Sequence, residues 1–414
     1  SFGDFVQIDD SNKQLCCGCG ACKSVCPRKA IEMKEDSEGF LFPVVDESLC
    51  VKCGLCTKVC IIHKPITSNH STYKQRYYLC SNTSPAYFKN SATIGLCTML
   101  SESILKKGGV VFGCWLNEER WRAYHIKVEK EADLYKIRNS KYIQSDVNET
   151  YLETKKELEN NKIVLYIGTP CQIVGLKSFL RKDSENLYTI DLICHGVYSY
   201  KLLIEEIAYW HSKLGRRKIH NFRFRSKRKY PYIKGGIINF DYGVFPKRHI
   251  ECPGSYSPTY ACYAYNNKRI IYNARLSCYS CSFRSESRFG DLTIGDPWGM
   301  SHISMSESEI KNGRSLVMLN TQRGDSLFQQ IASSMDIVEV GHNDAFRQPA
   351  LLPAQREIPR ERSQIYGSIG TGTYENVVNE VLGDNLWGKY NENEKSEYKL
   401  RMKRIIKKIL LRNI

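Results

Sequence analysis

Eight cysteines near the N-terminus repeat one spacing twice. Both runs read C-x2-C-x2-C-x3-C, and their members are Cys16, Cys19, Cys22 and Cys26, then Cys50, Cys53, Cys56 and Cys60. Runs of this spacing hold cubane iron–sulfur clusters in two-cluster ferredoxins, where the fourth cysteine of each run ligates the other cluster. The spacing therefore predicts two 4Fe-4S clusters and a chain that carries electrons.

The crossing of the fourth cysteines determines the predicted ligand sets. The first cluster is expected on Cys16, Cys19, Cys22 and Cys60, and the second on Cys50, Cys53, Cys56 and Cys26. Structural zinc is the alternative, but zinc sites use C-x2-C pairs that a longer loop separates. A disulfide framework is disfavoured as well, because such frameworks belong to oxidising compartments and reduced clusters do not.

Four further cysteines stand where an α/β fold would place ligands. Cys171 lies between a predicted strand and a predicted helix, Cys194 ends the next strand, and Cys278 and Cys281 form a C-x2-C pair. The carboxyl ends of adjacent parallel strands meet at one edge of a sheet, where such proteins bind ligands. Spacing alone leaves two interpretations open, which are a third cubane and buried structural cysteines.

Size and charge limit the function classes. The chain has 414 residues and a formal net charge of +16, so a large part follows the ferredoxin-like segment. Basic proteins attract nucleic acid, anionic membranes or acidic partners, and we expect an acidic electron carrier, ferredoxin or flavodoxin. No apolar run approaches the roughly 20 residues of a membrane span, and no export signal is recognisable. A cytoplasmic location is therefore expected.

The elements that must position these cysteines alternate along the chain. Strands are predicted at 110–116, 163–167 and 187–194, helices at 94–105, 151–159 and 201–213, and hairpin strands within 219–245. This alternation predicts an α/β main domain with a mixed, largely parallel sheet, plus a small α+β bacterial-type ferredoxin domain at the N-terminus. The predicted domains are 1–70 and 77–385, joined by a polar linker at 64–76.

The predicted third segment, 390–414, is a basic amphipathic helix. Its apolar face is formed by Tyr398, Met402, Ile405, Ile406, Ile409 and Leu410. Its basic face is formed by Lys399, Arg401, Lys403, Arg404, Lys407, Lys408 and Arg412. Such a helix can lie in an anionic membrane surface, which would place the protein peripherally at the inner membrane face. The alternative is that it packs on its own domain or on a second subunit.

Several motifs of the large segment resemble a known family. They read SKYIQS at 140–145, GTPCQIVGL at 168–176, DLICHG at 191–196, FRFRSK at 222–227, CYSC at 278–281 and DLTIGDPWG at 291–299. With these motifs, the region from about 77 to 365 resembles the family of the beta subunits of coenzyme F420 hydrogenases and dehydrogenases. Relatives of that family include 7-hydroxymethyl chlorophyll a reductase.

The resemblance implies two cofactors in the main domain. A third 4Fe-4S cluster is expected on Cys171, Cys194, Cys278 and Cys281, with Cys252 or Cys262 left open as a replacement for one of them. A noncovalent flavin, FAD, is expected beside this cluster. A loop that leads into a helix N-terminus offers backbone N–H groups to a pyrophosphate. The family's loop corresponds here to Ser91, Thr93 and Gly95, with Ile94 where a small residue is usual.

Further side chains are expected around the flavin. Ser140, Lys141, Tyr142 and Gln144 are candidates for hydrogen bonds to the flavin or its phosphates, and Thr169 and Gln172 for its ring edge. The catalytic candidates are His195, Lys141 and Tyr142. Histidine in general can transfer protons near neutral pH, so His195 is expected either to donate a proton during reduction or to orient the cluster through a hydrogen bond.

Clusters move single electrons and a flavin exchanges one or two, so together they convert one-electron into two-electron chemistry. We expect an iron–sulfur flavoprotein oxidoreductase that takes electrons from a low-potential donor and reduces a small organic substrate. Relatives that accompany polysaccharide assembly point to a nucleotide sugar or a related pathway intermediate. The alternative is an electron-relay subunit with no substrate of its own. Nucleic-acid binding is disfavoured, because no helix-turn-helix or stacking platform accompanies the basic run at 222–230.

Overall fold

The protein is represented by a computed structural model that describes residues 6, 12–62, 73–264, 266, 268–352 and 357–410. Most of the predicted linker, 63–72, lies outside the described residues. So do residues 411–414 and the side chains of 401 and 404–410, which include much of the predicted amphipathic pattern.

The strands are β1 Ile31–Glu35, β2 Leu41–Val45, β3 Arg76–Ser81, β4 Val110–Asn117, β5 Arg122–Val128, β6 Ser145–Asp146, β7 Val164–Gly168, β8 Leu187–Leu192, β9 Ile219–Arg223, β10 Ile237–Tyr242, β11 Arg248–Pro253, β12 Leu292–Gly295, β13 Ser315–Leu319 and β14 Asp336–Val340. The helices are α1 Ala21–Val25, α2 Leu55–Val59, α3 Pro85–Phe88, α4 Leu96–Lys106, α5 Thr150–Glu159, α6 Pro170–Leu180, α7 Tyr200–Lys213, α8 Pro258–Tyr263, α9 Leu276–Tyr279, α10 Glu307–Asn312, α11 Gln322–Ala332, α12 His342–Ala345, α13 Glu361–Gly367, α14 Tyr374–Leu382 and α15 Leu386–Leu410.

The main sheet has nine strands in the order β14-β3-β13-β12-β8-β7-β4-β5-β6. Its centre, β12-β8-β7-β4, is parallel, and its strands read as short apolar runs because both faces are covered. Strands β14, β3, β13 and β12 pair antiparallel with one another in that order, and so do β4 and β5. The mixed α/β sheet is confirmed, whereas parallel pairing is limited to the centre and to the edge pair of β5 and β6. The short β4–β5 connection makes an antiparallel hairpin, since parallel pairing needs a long crossover.

Two smaller antiparallel sheets complete the fold. Strands β9, β10 and β11 form a three-stranded sheet, which agrees with the predicted hairpin region. Strands β1 and β2 form a hairpin that connects the two cysteine runs. With helices α1 and α2 it makes the small α+β unit at the N-terminus.

This small unit is attached to the main domain by specific polar contacts. The Arg362 guanidinium binds both carboxylate oxygens of Glu38, at 2.8 and 2.5 Å. The Tyr200 hydroxyl donates a hydrogen bond to Glu35 at 2.8 Å, at the start of α7. Charge-assisted and bidentate bonds of this kind hold an orientation as well as contributing energy. The clusters' protein shell is thereby held against the large domain.

Helix α15 begins at Leu386, four residues before the predicted segment. Its first turns pack on the domain, because Tyr390 meets the buried Trp210 ring edge-on at 5.6 Å. Lys229 binds Glu394 at 2.8 Å and Glu397 at 2.7 Å farther along the helix. The first part of the helix therefore packs on its own domain, which was the alternative to membrane binding. The membrane role of the later part stays a prediction. None of the helices in the described ranges is both long and apolar enough to cross a bilayer.

Candidate functional site

A cavity of about 920 Å³ opens where the central parallel strands end. Residues that follow β7 and β8 form part of its wall. This position agrees with the prediction that ligands bind where the carboxyl ends of adjacent parallel strands meet. Every side chain predicted for the flavin or for catalysis lines this one cavity: Ser91, Thr93, Gly95, Ser140, Lys141, Tyr142, Gln144, Thr169, Gln172 and His195. Pockets that hold cofactors typically measure about 300–1,000 Å³, so the volume suits a dinucleotide or a similar group.

The four cysteines of the predicted third cluster line the same cavity and are neighbours. Burial raises the pKa of the Cys194 thiol, and the nearby thiols of Cys278, Cys171 and Cys281 raise it further. Burial raises the pKa of Cys278 to about 12. Strand β8 ends at Leu192, two residues earlier than predicted, so Cys194 projects from a loop. Together the structure brings four thiols from three separate segments to one wall.

Two alternatives for that ligand set lie elsewhere. Cys252 and Cys262 are fully buried in the core cluster around Trp210 and Phe240, and neither lines the cavity. Burial raises the pKa of Cys252 and Cys262, as expected for thiols that pack as small apolar groups.

Three further thiols, Cys17, Cys97 and Cys114, also line the cavity, and the sequence motifs gave Cys17 no role. The Cys17 thiol lies next to that of Cys171. Cys17 lies between two predicted ligands of the first cluster, Cys16 and Cys19, so this contact joins the first cysteine run to the third cysteine group. Gly175 of helix α6 lets the first cysteine run come close to this helix. A Cβ at position 175 would lie 3.0 Å from Cys19 Cβ, which is a tight contact.

The ferredoxin cysteines lie close together, and their division into two ligand sets stays a prediction. The Cys22 thiol is near Cys16 and Cys60 of its own predicted set, and also near Cys56 of the other set. Cys26, Cys50, Cys53 and Cys56 line a separate small cavity, and they are the second predicted set. Each run contributes a five-residue helix that ends at its fourth cysteine. Among the described residues, no three cysteine, histidine or carboxylate side chains converge at single-ion distances.

The loop before α4 has the geometry expected for a phosphate-binding turn. Gly95 precedes the helix with φ +81°, and a Cβ there would lie 2.8 Å from the Tyr87 carbonyl oxygen. Ile94 is fully buried and packs in the core beneath the loop, so its size does not obstruct the cavity. Thr93 Oγ1 lies 2.8 Å from Ser315 Oγ. The predicted helix start at Ile94 is two residues early, because Gly95 has a left-handed conformation.

Several predicted flavin contacts also hold the cavity wall together. Lys141 Nζ donates to the carbonyl oxygens of Cys114 at 2.9 Å and Arg138 at 2.7 Å, and burial lowers the pKa of Lys141 to about 8. Thr169 and Gln172 form the capping box at the start of α6. These side chains orient the wall and have limited hydrogen-bonding capacity left for a ligand.

The two remaining catalytic candidates lie among aromatic rings. The Tyr142 ring stacks on Tyr260 at 5.3 Å and contacts Tyr263 at 5.2 Å. Its hydroxyl accepts a hydrogen bond from Arg225 at 3.4 Å. The His195 ring meets Tyr263 edge-on at 5.9 Å, immediately after the predicted ligand Cys194.

The cavity carries an excess of positive charge, which the sequence motifs did not indicate. Besides Lys141, the cationic lining residues are Arg138, Arg225, Lys234, Arg275, Arg284 and Arg288, whereas Asp296 is the single carboxylate among the described lining residues. Arg225 binds Asp296 at 2.6 Å. Both residues belong to motifs noted above, but 71 positions separate them and no local signal links them. Arg138 Nε and Ser277 Oγ are buried without a hydrogen-bond partner, as expected of groups that await a ligand.

Comparisons with known proteins agree with this division of the chain. Residues 161–344 match the family model for the C terminus of the coenzyme F420 hydrogenase/dehydrogenase beta subunit. Residues 15–62 match the model of the "4Fe-4S dicluster domain", which confirms the iron–sulfur prediction for the N-terminal cysteines as a domain. The resemblance inferred from the motifs is thus confirmed, whereas the relation to 7-hydroxymethyl chlorophyll a reductase stays a prediction.

Individual relatives are distant oxidoreductases. The chain is 19% identical over 339 residues to the F subunit of the F(420)H(2) dehydrogenase of Methanosarcina mazei, covering 78% of this chain and 84% of the relative. It is 23% identical over 261 residues to the coenzyme F420-dependent sulfite reductase of Methanocaldococcus jannaschii, covering 58% of this chain but only 39% of that protein. A chain in the F420-reducing NiFe hydrogenase complex of Methanosarcina barkeri aligns with TM-score 0.45 and 15% identity, over 69% of this chain and 90% of that one.

Proposed function

We propose a specific electron path through this protein, because residues 161–344 match the family model of coenzyme F420 hydrogenase/dehydrogenase beta subunits and residues 15–62 match that of a 4Fe-4S dicluster domain. The protein is an iron–sulfur flavoprotein oxidoreductase. It takes single electrons from an acidic carrier such as ferredoxin or flavodoxin and delivers them to a small organic substrate. The observation that carries this proposal is the shared cavity, where four cysteine thiols and a phosphate-suited loop line the same wall.

Electron entry is proposed at the second ferredoxin cluster. Cys53, one of its predicted ligands, is exposed at the surface. Arg28 lines the same small cavity as Cys53, and the side chains of Arg28, Lys29, Lys52 and Lys58 are exposed in the two cysteine segments. Clustered cations steer negatively charged partners toward a surface, and electron-carrier contacts are commonly small and weak. An acidic donor is therefore the partner that this surface supports.

The thiols of Cys171, Cys194, Cys278 and Cys281 fit a third 4Fe-4S cluster. They meet at one half-buried wall of the cavity, and their chemistry is that of cubane ligands. The contact between Cys17 and Cys171 brings this group next to the first cysteine run. Cys17 is therefore proposed to lie between the first and third clusters, where it holds the two cysteine segments together.

The rest of the cavity fits a flavin with a phosphate-bearing tail, and FAD is the form we propose. A bound flavin would supply the conversion between one-electron and two-electron transfer. The turn at Gly95 and the N-terminus of the 11-residue helix α4 would hold phosphates, and Arg138 and Lys141 would offset their charge. Tyr142, Tyr260 and Tyr263 would exclude water from one side of the pocket. His195 would hold or move a proton at its ring nitrogen near the substrate.

The substrate class follows from the excess of positive charge. Of the seven cationic lining residues, Arg225 is paired with Asp296, Arg288 is paired with Asp191, and two are assigned to the flavin phosphates. The remaining excess of positive charge favours an anionic substrate. A nucleotide sugar, or a related intermediate of polysaccharide assembly, carries phosphates of this kind. One relative is named as a subunit of a dehydrogenase, and this name is compatible with the alternative of an electron-relay subunit that serves a partner enzyme.

The deciding measurement is cofactor quantification followed by turnover, both without oxygen. Freshly purified protein is expected to hold about twelve irons, about twelve sulfides and one flavin per chain. Dithionite-reduced protein is then mixed with nucleotide sugars, and reoxidation of the flavin is followed by its absorbance. Reoxidation by a small molecule supports the oxidoreductase. Reoxidation only by a second protein supports the relay, and fewer than about nine irons without flavin overturns the proposed path.

A further inference from the structure

The turn between β10 and β11 presents an apolar tip to solvent. Its residues are Val244, Phe245 and Pro246, and the Val244 and Phe245 side chains are 82% and 98% exposed. A phenylalanine this exposed contributes nothing to the core, and its hydration is unfavourable. Packing within this chain therefore does not account for the exposure of the apolar tip.

Five cations surround this tip and form a basic rim, which we define as Arg216, Arg217, Lys218, Lys247 and Arg248. All five are exposed. The turn after α7 and the hairpin form one surface, because Gly243 N donates a hydrogen bond to Lys218 O at 2.9 Å. A Cβ at Gly243 would lie 3.6 Å from Arg217 Cδ.

Little negative charge offsets the basic rim. Asp241 binds Lys247 at 2.8 Å and His249 at 3.0 Å. In the part of the chain that the structure describes, the other four cations of the rim form no salt bridge. The rim thus keeps an excess of positive charge around an apolar centre.

We propose that the tip and the basic rim together dock the protein on an anionic lipid surface. Phe245 and Val244 enter the boundary between headgroups and acyl chains, and the rim pairs with anionic headgroups. An acidic protein or a nucleic acid would use the charge of the rim, but neither needs a protruding apolar tip. The lipid surface is therefore the occupant that both observations favour.

The position of the tip is compatible with electron entry. Helix α7 meets the ferredoxin-like unit at its first residue, through the Tyr200 hydrogen bond to Glu35. The basic rim follows the other end of this 14-residue helix, which is about 21 Å long. Docking at the tip would leave the ferredoxin surface accessible to a carrier, and it does not depend on the proposed chemistry.

The test is co-sedimentation of the cofactor-loaded protein with phosphatidylcholine vesicles, with and without phosphatidylglycerol. Only the anionic vesicles are expected to bind, and high salt should weaken the binding. Phe245→Ser should lower the partition coefficient about tenfold. The triple variant Arg216→Ala, Arg217→Ala and Lys218→Ala should lower it about a hundredfold.

Matched control variants distinguish vesicle binding through this surface from nonspecific binding. Tyr135→Ser removes another exposed aromatic side chain, and the triple variant Lys89→Ala, Lys106→Ala and Lys155→Ala removes the same charge elsewhere. Both controls should bind within threefold of the wild type. Iron content and circular dichroism check that each variant folds.

The C-terminal helix requires a separate control experiment, because its basic residues can also bind lipid. A chain truncated after Glu397 should keep the dependence on Phe245, even if its overall binding is weaker. The proposal is overturned if Phe245→Ser changes binding by less than threefold, if neutral vesicles bind equally well, or if the truncated chain loses the effect of Phe245→Ser. Binding of nucleic acid or an acidic protein in place of vesicles would overturn it as well.

Discussion

Arg275 Nε donates a hydrogen bond to the backbone carbonyl oxygen of Cys16 at 2.8 Å. The same guanidinium donates to Leu41 O at 2.9 Å and to Gln144 Oε1 at 2.8 Å. Arg275 is 1% exposed, and Gln144 in turn donates to Cys17 O at 3.2 Å. One buried side chain therefore connects the first cysteine run, the β2 strand and the cavity wall.

We expect Arg275→Met to loosen this connection. The change leaves three acceptors without their donor, at an expected cost of about 3 kcal/mol for opening this region. Hydrogen exchange measured by mass spectrometry should show amides of 12–45 exchanging about a hundredfold faster. The exposed Arg120→Met serves as the control. Unchanged protection of 12–45 would show that the other contacts between the two units suffice.

A second prediction concerns the proposed third cluster. Cys194→Ala should lower the iron content from about twelve to about eight per chain, because one cubane loses a ligand. The electron paramagnetic resonance signals of the other two clusters should persist. Cys262→Ala removes a fully buried thiol that is remote from the cavity, and it should keep about twelve irons. Equal iron in both variants would contradict the assignment.

The contact between Cys17 and Cys171 should influence a reduction potential. Hydrogen bonds to ligand sulfurs stabilise the more negative, reduced cluster and raise its potential. Cys17→Ala should therefore lower the midpoint of the third cluster by roughly 30–60 mV, as a redox titration followed by electron paramagnetic resonance would measure. Cys17→Ser retains a donor and should restore most of the value. Cys80→Ala, in the core, should have no effect; an identical midpoint in Cys17→Ala would rule out the influence.

His125 makes the fold sensitive to acid. Its ring is 3% exposed, and burial lowers its pKa to about 4. Nε2 lies 2.9 Å from Ile167 O and Nδ1 lies 2.8 Å from Ser145 Oγ, an arrangement that suits the neutral ring. Between pH 6.5 and about 4 the unfolded chain binds the extra proton, so stability is lost as pH falls through this range.

The loss attributable to His125 should be about 2 kcal/mol between pH 7 and pH 5. Anaerobic urea denaturation at the two pH values measures it as the difference between the wild type and His125→Gln, which cannot titrate. The exposed His302→Gln should behave as the wild type does. If wild type and His125→Gln lose equal stability, other groups account for the acid sensitivity.

Some features were predictable because their physical determinants are local. The C-x2-C-x2-C-x3-C runs place their cysteines around short helices, and the structure brings the two runs together in space. The strands at 110–116 and 163–167 were predictable because buried strands are uniformly apolar. The edge where β7 and β8 end was predictable because parallel strands share a carboxyl edge.

The sequence by itself therefore determined the cysteine runs, the resemblance to the coenzyme F420 beta subunits and the central parallel strands. Only the tertiary structure decided that Arg275 meets Cys16, 259 positions away, and that Cys17 joins the third cysteine group. It also decided the antiparallel flank around β3 and the pairing of Arg225 with Asp296. The reason is physical: periodicity and spacing report forces within a few residues, whereas these contacts depend on the strand order and on which surfaces the whole chain buries.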